Sequence, residues 1–199
     1  FLPIFIRNFL AGILAYITNG PNSNYGLPNP EHNFGATHPT VNSELLYKIR
    51  HGKIKPKGEI ECFDGKLVKF KDKTEEEFDV IIACTGFVLS HPFFDKDFLN
   101  YTKGPVPLYL KMFHSSYDNL FFIGMFQPLG CIWPASEQQS KLVVRAIKGN
   151  WKRPLNIDKL CQKETTHPHM KQIKTSRHRI TVDFHRFIKD LKTQIKLSY

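Results

Sequence analysis

Two short apolar segments that each carry a glycine near their end constrain the fold of this chain more than any other feature. Residues 79–87 (DVIIACTGF) and 119–126 (NLFFIGMF) each begin with a polar residue and continue as an apolar run. Such runs are typical of strands that are buried on both faces of a parallel sheet covered by helices. The pattern predicts an α/β fold. Ligands bind beyond the carboxyl ends of such strands, so Gly86 and Gly124 mark a candidate site, with glycines that serve only turn geometry as the alternative.

The helices are predicted from apolar residues at helical spacing. They cover 1–17, 44–51, 135–148, 157–174 and a final amphipathic segment with Phe184, Phe187, Ile188, Leu191 and Ile195 on one face. Asn42 or Ser43 is expected to cap the second helix. Pro134 suits the first position of the third helix and Gly149 its C-terminal cap.

Short strands and turns are predicted between the second and third helices. The strands are expected at 54, 60–62 and 67–70, with Asp64 and Gly65 as a hairpin turn. The polar run 71–77 is predicted to be a turn, and 179–182 a short extended piece. Residues 19–40, which are rich in Pro, Asn and Gly, are predicted to be an irregular crossing segment.

The positive charge is concentrated at one end of the chain. The 199 residues contain 28 Lys and Arg against 18 Asp and Glu, for a formal charge of +10, of which residues 151–199 carry +8. A basic segment can meet nucleic acid, an acidic membrane or an anionic cofactor, and a solvated surface is the alternative. Because the aromatic residues of the last helix lie on its apolar face, away from the lysines, no nucleic-acid partner is expected.

The cysteines and histidines do not predict a metal site. Cys62, Cys84, Cys131 and Cys161 form no C-x-x-C pair and have no histidine at zinc-finger spacing. Cys84 and Cys131 are expected in apolar surroundings as unreactive thiols, which indicates a reducing compartment and a cytoplasmic location. The pair His167 and His169 is at best a weak metal site, so no metal is expected.

The apolar run 1–17 is too short to span a bilayer, which needs roughly 20 apolar residues. It also lacks the basic region and the cleavage site of a secretory signal. The run is expected to form a helix that packs on a surface outside this chain, and association with a membrane surface is a second prediction for it.

The glycine positions exclude the usual phosphate-binding loops. No two of the twelve glycines are two or five residues apart, so neither G-x-G-x-x-G nor the P-loop pattern occurs. There is no G-x-S-x-G motif, and no catalytic residue is assigned. The segment 127–134 instead leads from an apolar run into a helix N-terminus, whose free N–H groups favour an anionic or carbonyl-rich ligand. A plain strand–loop–helix connection is the alternative.

Four segments together resemble the C-terminal part of flavin-containing monooxygenases. They are 25–30 (YGLPNP), 38–43 (HPTVNS), 79–87 and 121–130 (FFIGMFQPLG), in the family's order and spacing. The family element Asp-x-Ile-Ile-x-Ala-Thr-Gly-Phe/Tyr has Ala83 and Cys84 in place of the usual pair before Thr85 and Gly86. The resemblance covers nearly the whole chain but only about the last half of such an enzyme.

The resemblance implies that the chain is the C-terminal part of a two-dinucleotide-binding-domain (Rossmann-like) flavoprotein. Residues 1–34 would then be a helix and crossing segment, 35–82 the end of the NADP-binding domain, and 83–199 the C-terminal part of the FAD-binding domain. In that family the glycine-rich motifs and the monooxygenase fingerprint lie upstream of these segments. The chain is therefore expected to be a fragment that is inactive by itself.

The resemblance further implies FAD and NADPH as cofactors. In the family, O2 adds to the reduced flavin to give a C4a-hydroperoxide, which oxygenates a soft nitrogen or sulfur nucleophile, or a ketone in the related Baeyer-Villiger enzymes. The partners are then a small-molecule nucleophile and O2. Residues expected on the flavin side are Thr85, Gly86, Gly124, Gln127 and the backbone from Leu129 to Ile132.

Core packing is expected for Phe87, Phe126 and Trp133. Two alternatives belong to other classes. A pyridine-nucleotide-disulfide reductase half would need a redox cysteine pair, which is missing. A non-enzymatic basic interaction module would act through residues 151–199 and bind a duplex in a salt-dependent way.

Overall fold

The structure is a computed structural model that describes residues 4–37, 42, 44–170, 173 and 175–198. Contacts within the chain divide it into an N-terminal unit, Phe1–Phe87, and a C-terminal unit, Val88–Tyr199. Helices and strands occur together, which is compatible with the predicted α/β class. The predicted parallel sheet is wrong for the described residues, whose two sheets are a three-stranded antiparallel one and a two-stranded parallel one.

Helix α1, Ile4–Asn19, begins the N-terminal unit. It confirms the predicted helix, whose first three residues lie outside the described part. The helix ends at Gly20, whose φ of +74° is a conformation that only glycine adopts easily. Many of its apolar side chains are exposed, among them Phe5, Phe9, Leu14 and Ile17. No helix in the described part of the chain has the length and apolar content needed to cross a bilayer.

Helix α2, Leu45–Arg50, follows a 3-10 turn at Asn22–Tyr25 and begins where the sequence places a cap. The Asn42 side-chain oxygen accepts the backbone N–H groups of Glu44 and Leu45, at 2.8 Å each. These bonds satisfy two donors that have no partner within the helix. Asn42 is thus confirmed as the capping side chain, while Ser43 and residues 38–41 lie outside the described part.

The three antiparallel strands are β1, Ile60–Asp64, β2, Leu67–Phe70, and β3, Glu75–Glu77. Strands β1 and β2 form the predicted hairpin, with Gly65 at φ +61° in its turn. The prediction of a turn over the whole of 71–77 is wrong, because residues 75–77 pair with β2. Strand β3 lies at the edge of the sheet, where three glutamates can reach water. The isolated strand predicted at Ile54 is also not formed.

The predicted buried strand at 79–87 is wrong. This segment contains no strand, and Val80, Ile82 and Phe87 are exposed. Phe87 is therefore not in the core, and Cys84 is exposed rather than in the apolar surroundings expected for it. A strand needs neighbouring backbone to satisfy its N–H and C=O groups, and none of the described residues pairs with this segment.

The C-terminal unit has two buried apolar clusters, and three helices contribute to the larger one: α3, Trp133–Ile147, α4, Ile157–Thr166, and α5, Phe184–Lys196. Leu142 of α3 and Phe187 and Leu191 of α5 are fully buried in one apolar cluster with Cys161 of α4. Burying a side chain of this size stabilises the fold by about 1.5–3 kcal/mol. The apolar face predicted for α5 is confirmed.

The helix ends differ in part from the predictions. Helix α3 begins two residues early and places Pro134 at its second position, and Gly149 follows it at φ +73°. The Asp183 carboxylate caps α5 by accepting the Arg186 backbone N–H at 2.8 Å. Helix α4 ends at Thr166, and the described residues 167–170 and 173 are not helical, so the predicted extension toward residue 174 is wrong for them.

The second predicted buried strand, 119–126, is also wrong. Phe121 makes only an isolated antiparallel bridge with Phe113, and the chain turns at Gly124. Strand β4, Gln127–Pro128, then pairs in parallel with β5, Thr181–Val182, which lies inside the extended piece predicted at 179–182. A 3-10 helix, Ser176–Ile180, occupies the first part of that piece.

Candidate functional site

The candidate site in the C-terminal unit is the β4–α3 loop, Leu129–Ile132, which joins β4 to α3. On one side, Gly124 turns the chain into β4, whose Gln127 pairs with Thr181. On the other side, α3 begins at Trp133, so the loop delivers a helix N-terminus to the surface. Four of the residues predicted on the flavin side, Gly124, Gln127, Leu129 and Ile132, therefore lie along one continuous segment.

Backbone donors are free along this loop. No hydrogen bond is recorded within the described part of the chain for the N–H groups of Gly130, Cys131 and Ile132. The first N–H groups of a helix also lack intrahelical partners, and the helix dipole adds positive potential there. The loop thus presents donors to an anionic or carbonyl-bearing ligand.

Exposed apolar side chains flank these donors. Leu129 is 40% exposed and Trp133 is 75% exposed. The expectation that Trp133 packs in the core is wrong, as is the expectation that Cys131 is in apolar surroundings, since its thiol is exposed. Phe126, in contrast, is buried against Phe187 with 4.7 Å between the ring centroids, as predicted.

A buried glutamine holds the turn that precedes the loop. Gln139 of α3 has no exposed surface. Its Oε1 accepts the backbone N–H of Gly124 at 2.9 Å, and its Nε2 donates to the carbonyl of Leu110 at 3.1 Å. One side chain therefore satisfies two backbone groups that are 14 residues apart in sequence.

Sequence reasoning missed Gln139, although a signal existed. The residue lies three and four positions before Leu142 and Val143, so helical spacing places it on the buried face of α3. A polar residue on a buried face is informative, because a buried polar side chain needs hydrogen-bond partners. Its partners, however, come from two distant turns and are not visible in the sequence.

The second turn held by Gln139 has an unusual backbone. Leu110 and Lys111 have φ values of +52° and +54°, which side-chain-bearing residues rarely adopt. Lys111 is 97% buried, and its Nζ lies 3.4 Å from Glu164 Oε2 on α4. The other carboxylate oxygen of Glu164 accepts the Leu110 N–H at 3.4 Å. The turn is thus fixed by Gln139 on one side and by Glu164 on the other.

Gly124 and Gly86, the two glycines predicted to mark the site, both have backbone conformations that favour glycine. Gly124 has φ +79° and Gly86 φ +89°. A Cβ on Gly124 would lie 3.7 Å from the Ser136 Oγ, which is an ordinary contact, and a Cβ on Gly86 would meet nothing. The turn-geometry alternative therefore accounts for both glycines, and a role in leaving space for a ligand stays a prediction.

Thr85 and Gly86 belong to the N-terminal unit. Both are exposed, and they lie in the unpaired segment 79–87. Their assignment to the flavin side stays a prediction, as does that of the residues in the C-terminal unit.

The loop has few ionisable neighbours. Glu137 of α3 forms an exposed ion pair with Lys141 at 2.6 Å, and the hydrogen bond and charge of that lysine lower the pKa of the glutamate. No group of three or more His, Cys, Asp or Glu side chains suited to a metal ion occurs among the residues that the structure describes. The chemistry offered by the loop is therefore ligand binding through backbone donors and apolar contacts.

Comparison with known proteins identifies the family of this chain. The family model for flavin-binding monooxygenase-like proteins matches residues 18–198. The chain belongs to this family. This match confirms the resemblance seen in the sequence, and the family is one of flavin-dependent monooxygenases.

Individual relatives are considerably longer than this chain. Flavin-containing monooxygenase 5 of Rattus norvegicus is 32% identical over 165 residues, which are 80% of this chain and 31% of the relative. The Cavia porcellus protein of the same name is 37% identical over 128 residues, or 63% and 24%. Dimethylaniline monooxygenase [N-oxide-forming] 2 of Rattus norvegicus is 35% identical over 136 residues, or 67% and 25%. The chain thus matches about a third or less of these relatives' length.

Proposed function

We propose that this chain supplies one side of the FAD pocket in an FAD- and NADPH-dependent monooxygenase that oxygenates a soft nitrogen or sulfur nucleophile. The observation that carries the proposal is the β4–α3 loop, where the N–H groups of Gly130, Cys131 and Ile132 have no partner within the described part of the chain and lie between exposed Leu129 and Trp133. A flavin nucleotide carries carbonyl and phosphate oxygens as well as a flat apolar ring, so the residues present fit it.

The proposed roles follow from the chemistry of these groups. The N–H groups of Gly130, Cys131 and Ile132 would bind oxygens of the cofactor, while Leu129 and Trp133 would cover its apolar surface and exclude water. When bound, the flavin supplies oxygen transfer from O2, with NADPH as the source of electrons. Few acid–base side chains are then required of the chain. A Rossmann-like fold for the complete FAD-binding domain is part of this proposal.

Gln127 is proposed to face the same pocket. It is half-buried, and no hydrogen bond of its side chain is recorded among the described residues. A polar side chain at the edge of a water-excluding pocket would protect the oxygenation step from loss of peroxide. Oxygenation of an amine is favoured over that of a ketone because one relative is named dimethylaniline monooxygenase [N-oxide-forming] 2.

A chimera provides the test. The stretch of the Rattus norvegicus flavin-containing monooxygenase 5 that matches this chain is replaced by the corresponding residues of the chain, and the product is purified. We expect it to retain FAD, to oxidise NADPH and to convert a tertiary amine to its N-oxide. A chimera that folds, as judged by circular dichroism, but lacks flavin would contradict the proposal. If the chimera instead converts a ketone to an ester or lactone and forms no N-oxide, the Baeyer-Villiger alternative would replace amine oxygenation as the proposed activity.

A pair of variants tests the backbone donors directly. Ile132 has φ −75°, which proline adopts, so Ile132→Pro removes one N–H group at little conformational cost. Ile132→Ala is the control, because alanine keeps the N–H group and, like proline, lacks the branched isoleucine side chain. We expect the chimera with proline to hold FAD about tenfold more weakly than the one with alanine, as for a hydrogen bond to a charged or strongly polar group. Equal flavin affinity in the two would exclude this donor.

The 199-residue chain by itself is proposed to lack oxygenase activity, because it has none of the glycine-rich loops that hold the two nucleotides. Titration with FAD, followed by flavin fluorescence, should show no binding at micromolar concentration. Stoichiometric uptake of FAD would instead show a self-sufficient flavin domain.

A further inference from the structure

A cavity of about 270 Å³ lies between α4, α5 and the turn that contains Leu110. None of its lining residues belongs to the β4–α3 loop. Its polar side chains include Lys163 and Glu164 from α4, Arg186 and Asp190 from α5, and His169 from the segment after α4. Two helices thus bring acidic and basic groups to one concave surface.

Two cations and two carboxylates line this cavity, and the buried Lys111 beside it adds a third positive charge. Glu164 is already paired with the buried Lys111, at 3.4 Å. Asp190 is then the one remaining carboxylate of the lining, against Lys163 and Arg186. No ion pair of either cation is recorded within the described part of the chain. The cavity therefore favours a ligand with negative charge.

A buried histidine nitrogen without a partner supplies independent support for a ligand. The His169 side chain is 8% exposed, and its Nε2 lies 3.6 Å from Asp190 Oδ2. Its Nδ1 is buried and has no hydrogen-bond partner among the described residues. Leaving such a buried atom unsatisfied is unfavourable, so a ligand that hydrogen-bonds with it would be stabilised there.

The protonation of His169 connects these features. Burial lowers the pKa of this imidazole, and the positive charges of Arg186 on α5 and Lys111 in the turn act in the same direction. Glu164 on α4 and Asp190 on α5 oppose this shift. An anion at Nδ1 would favour the imidazolium, because both ring nitrogens would then donate, one to the anion and one to Asp190.

We propose that this cavity binds a small oxyanion, sulfate-like or phosphate-like, between Lys163, Arg186 and the Nδ1 of His169. Lysine and arginine supply charge-assisted hydrogen bonds to such an ion. Binding is linked to proton uptake by His169, so the site holds its ligand more tightly at lower pH.

Sulfate is the first probe, because its charge stays constant over the relevant pH range whereas that of phosphate does not. The 199-residue chain is titrated with sulfate at constant ionic strength, with chloride as the balancing anion, and the ring ¹⁵N signals of His169 are followed by NMR. We expect saturable binding that is about five- to tenfold tighter at about pH 5.5 than at about pH 7.5, as expected for linkage to one proton. The absence of a saturable shift would overturn the proposal.

Matched variants assign the response to these residues. Arg186→Gln and Lys189→Gln each remove one positive charge from α5, but Lys189 does not line the cavity. Sulfate affinity should fall about tenfold in the first and change less than about twofold in the second. Equal losses in both would mean that only net charge matters, and would refute the site.

Two histidine variants test whether His169, rather than the nearby His167, takes up the proton that is linked to sulfate binding. His167 also lines the cavity, so His167→Gln should keep the pH dependence while His169→Gln abolishes it. The opposite result would refute the role of His169. Inorganic phosphate and glycerol phosphate are then compared: tighter binding of the ester would assign the site to a phosphorylated metabolite, and equal binding to a free oxyanion.

Discussion

Replacement of Gln139 by leucine tests the structural basis of the candidate site. Leucine has nearly the volume of glutamine and suits a helix, so the change removes the two hydrogen bonds without opening a cavity. It leaves the half-buried Gly124 N–H and the buried Leu110 carbonyl without the partner that the fully buried Gln139 side chain provides.

The expected loss of stability follows from these two groups. An unsatisfied buried backbone group costs about 1–3 kcal/mol, so the two together cost about 2–6 kcal/mol. The buried leucine and the removal of a buried amide recover part of this, on the order of 1–2 kcal/mol. The free energy of unfolding of the C-terminal unit should therefore fall by about 1–4 kcal/mol, toward the lower end if water reaches the half-buried Gly124 N–H.

Urea unfolding measures this change, with the tryptophan signal reporting on the C-terminal unit. Both tryptophans belong to that unit, and Trp151 is stacked on Phe113 at 4.3 Å between ring centroids. Gln138→Leu is the matched control, since Gln138 is the half-buried neighbour of Gln139 and should change stability by less than about 0.5 kcal/mol. Native-state hydrogen exchange should also show faster exchange of the Gly124 amide in Gln139→Leu.

An unfolding free energy for Gln139→Leu that equals that of Gln138→Leu would refute this reasoning. It would mean that water or a rearranged backbone satisfies the Gly124 N–H and the Leu110 carbonyl. The turn at Gly124 would then not be a fixed support for the β4–α3 loop.

Three further predictions concern other parts of the chain. Burial raises the pKa of Tyr101 and of Tyr109 to about 12, so the folded state should lose stability as the pH rises from about 10 to about 12, where these tyrosines ionise first in the unfolded chain. Tyr101→Phe should weaken this alkaline loss of stability in urea titrations. It should leave stability at neutral pH unchanged or higher, because the Tyr101 hydroxyl has no hydrogen-bond partner within the described residues. A decrease at neutral pH would indicate a partner for that hydroxyl. Asp183→Ala should cost about 1 kcal/mol by removing the cap of α5, while Asp183→Asn should cost only a few tenths, and equal losses in thermal unfolding would show that charge rather than capping matters. Phe5→Ser with Phe9→Ser should reduce co-sedimentation of the chain with phospholipid vesicles, since α1 exposes both rings, and unchanged co-sedimentation would exclude α1 as the membrane-surface contact proposed for it.

Local features of this chain are determined by its sequence. Asn42 caps α2 because a short side-chain acceptor can reach the free donors of the next turn, and Gly65 and Gly149 end up at positive φ where turn chemistry demands it. The apolar stripe of α5 predicts its buried face because helical spacing fixes which residues share a side. The family could also be identified from the sequence, through short motifs in a fixed order, and the match over 18–198 confirms it.

Strand formation was decided by the tertiary structure. Residues 79–87 and 119–126 have the same apolar pattern as buried strands, yet neither forms the predicted strand, and Val80 and Phe87 are exposed. An apolar run indicates only that burying the segment would be favourable in free energy. Whether it becomes a strand depends on a neighbouring backbone that pairs with it, and this information is not contained in the run itself.

The support of the candidate site shows the same division. The sequence locates the loop before α3, because a segment with glycine and proline connects an apolar run to a predicted helix. It cannot show that Gln139 joins Gly124 to Leu110, nor that His169, Arg186 and Lys163 meet at one cavity. These groups are brought together by the packing of α3, α4 and α5, and contacts between distant residues depend on that packing rather than on local preference.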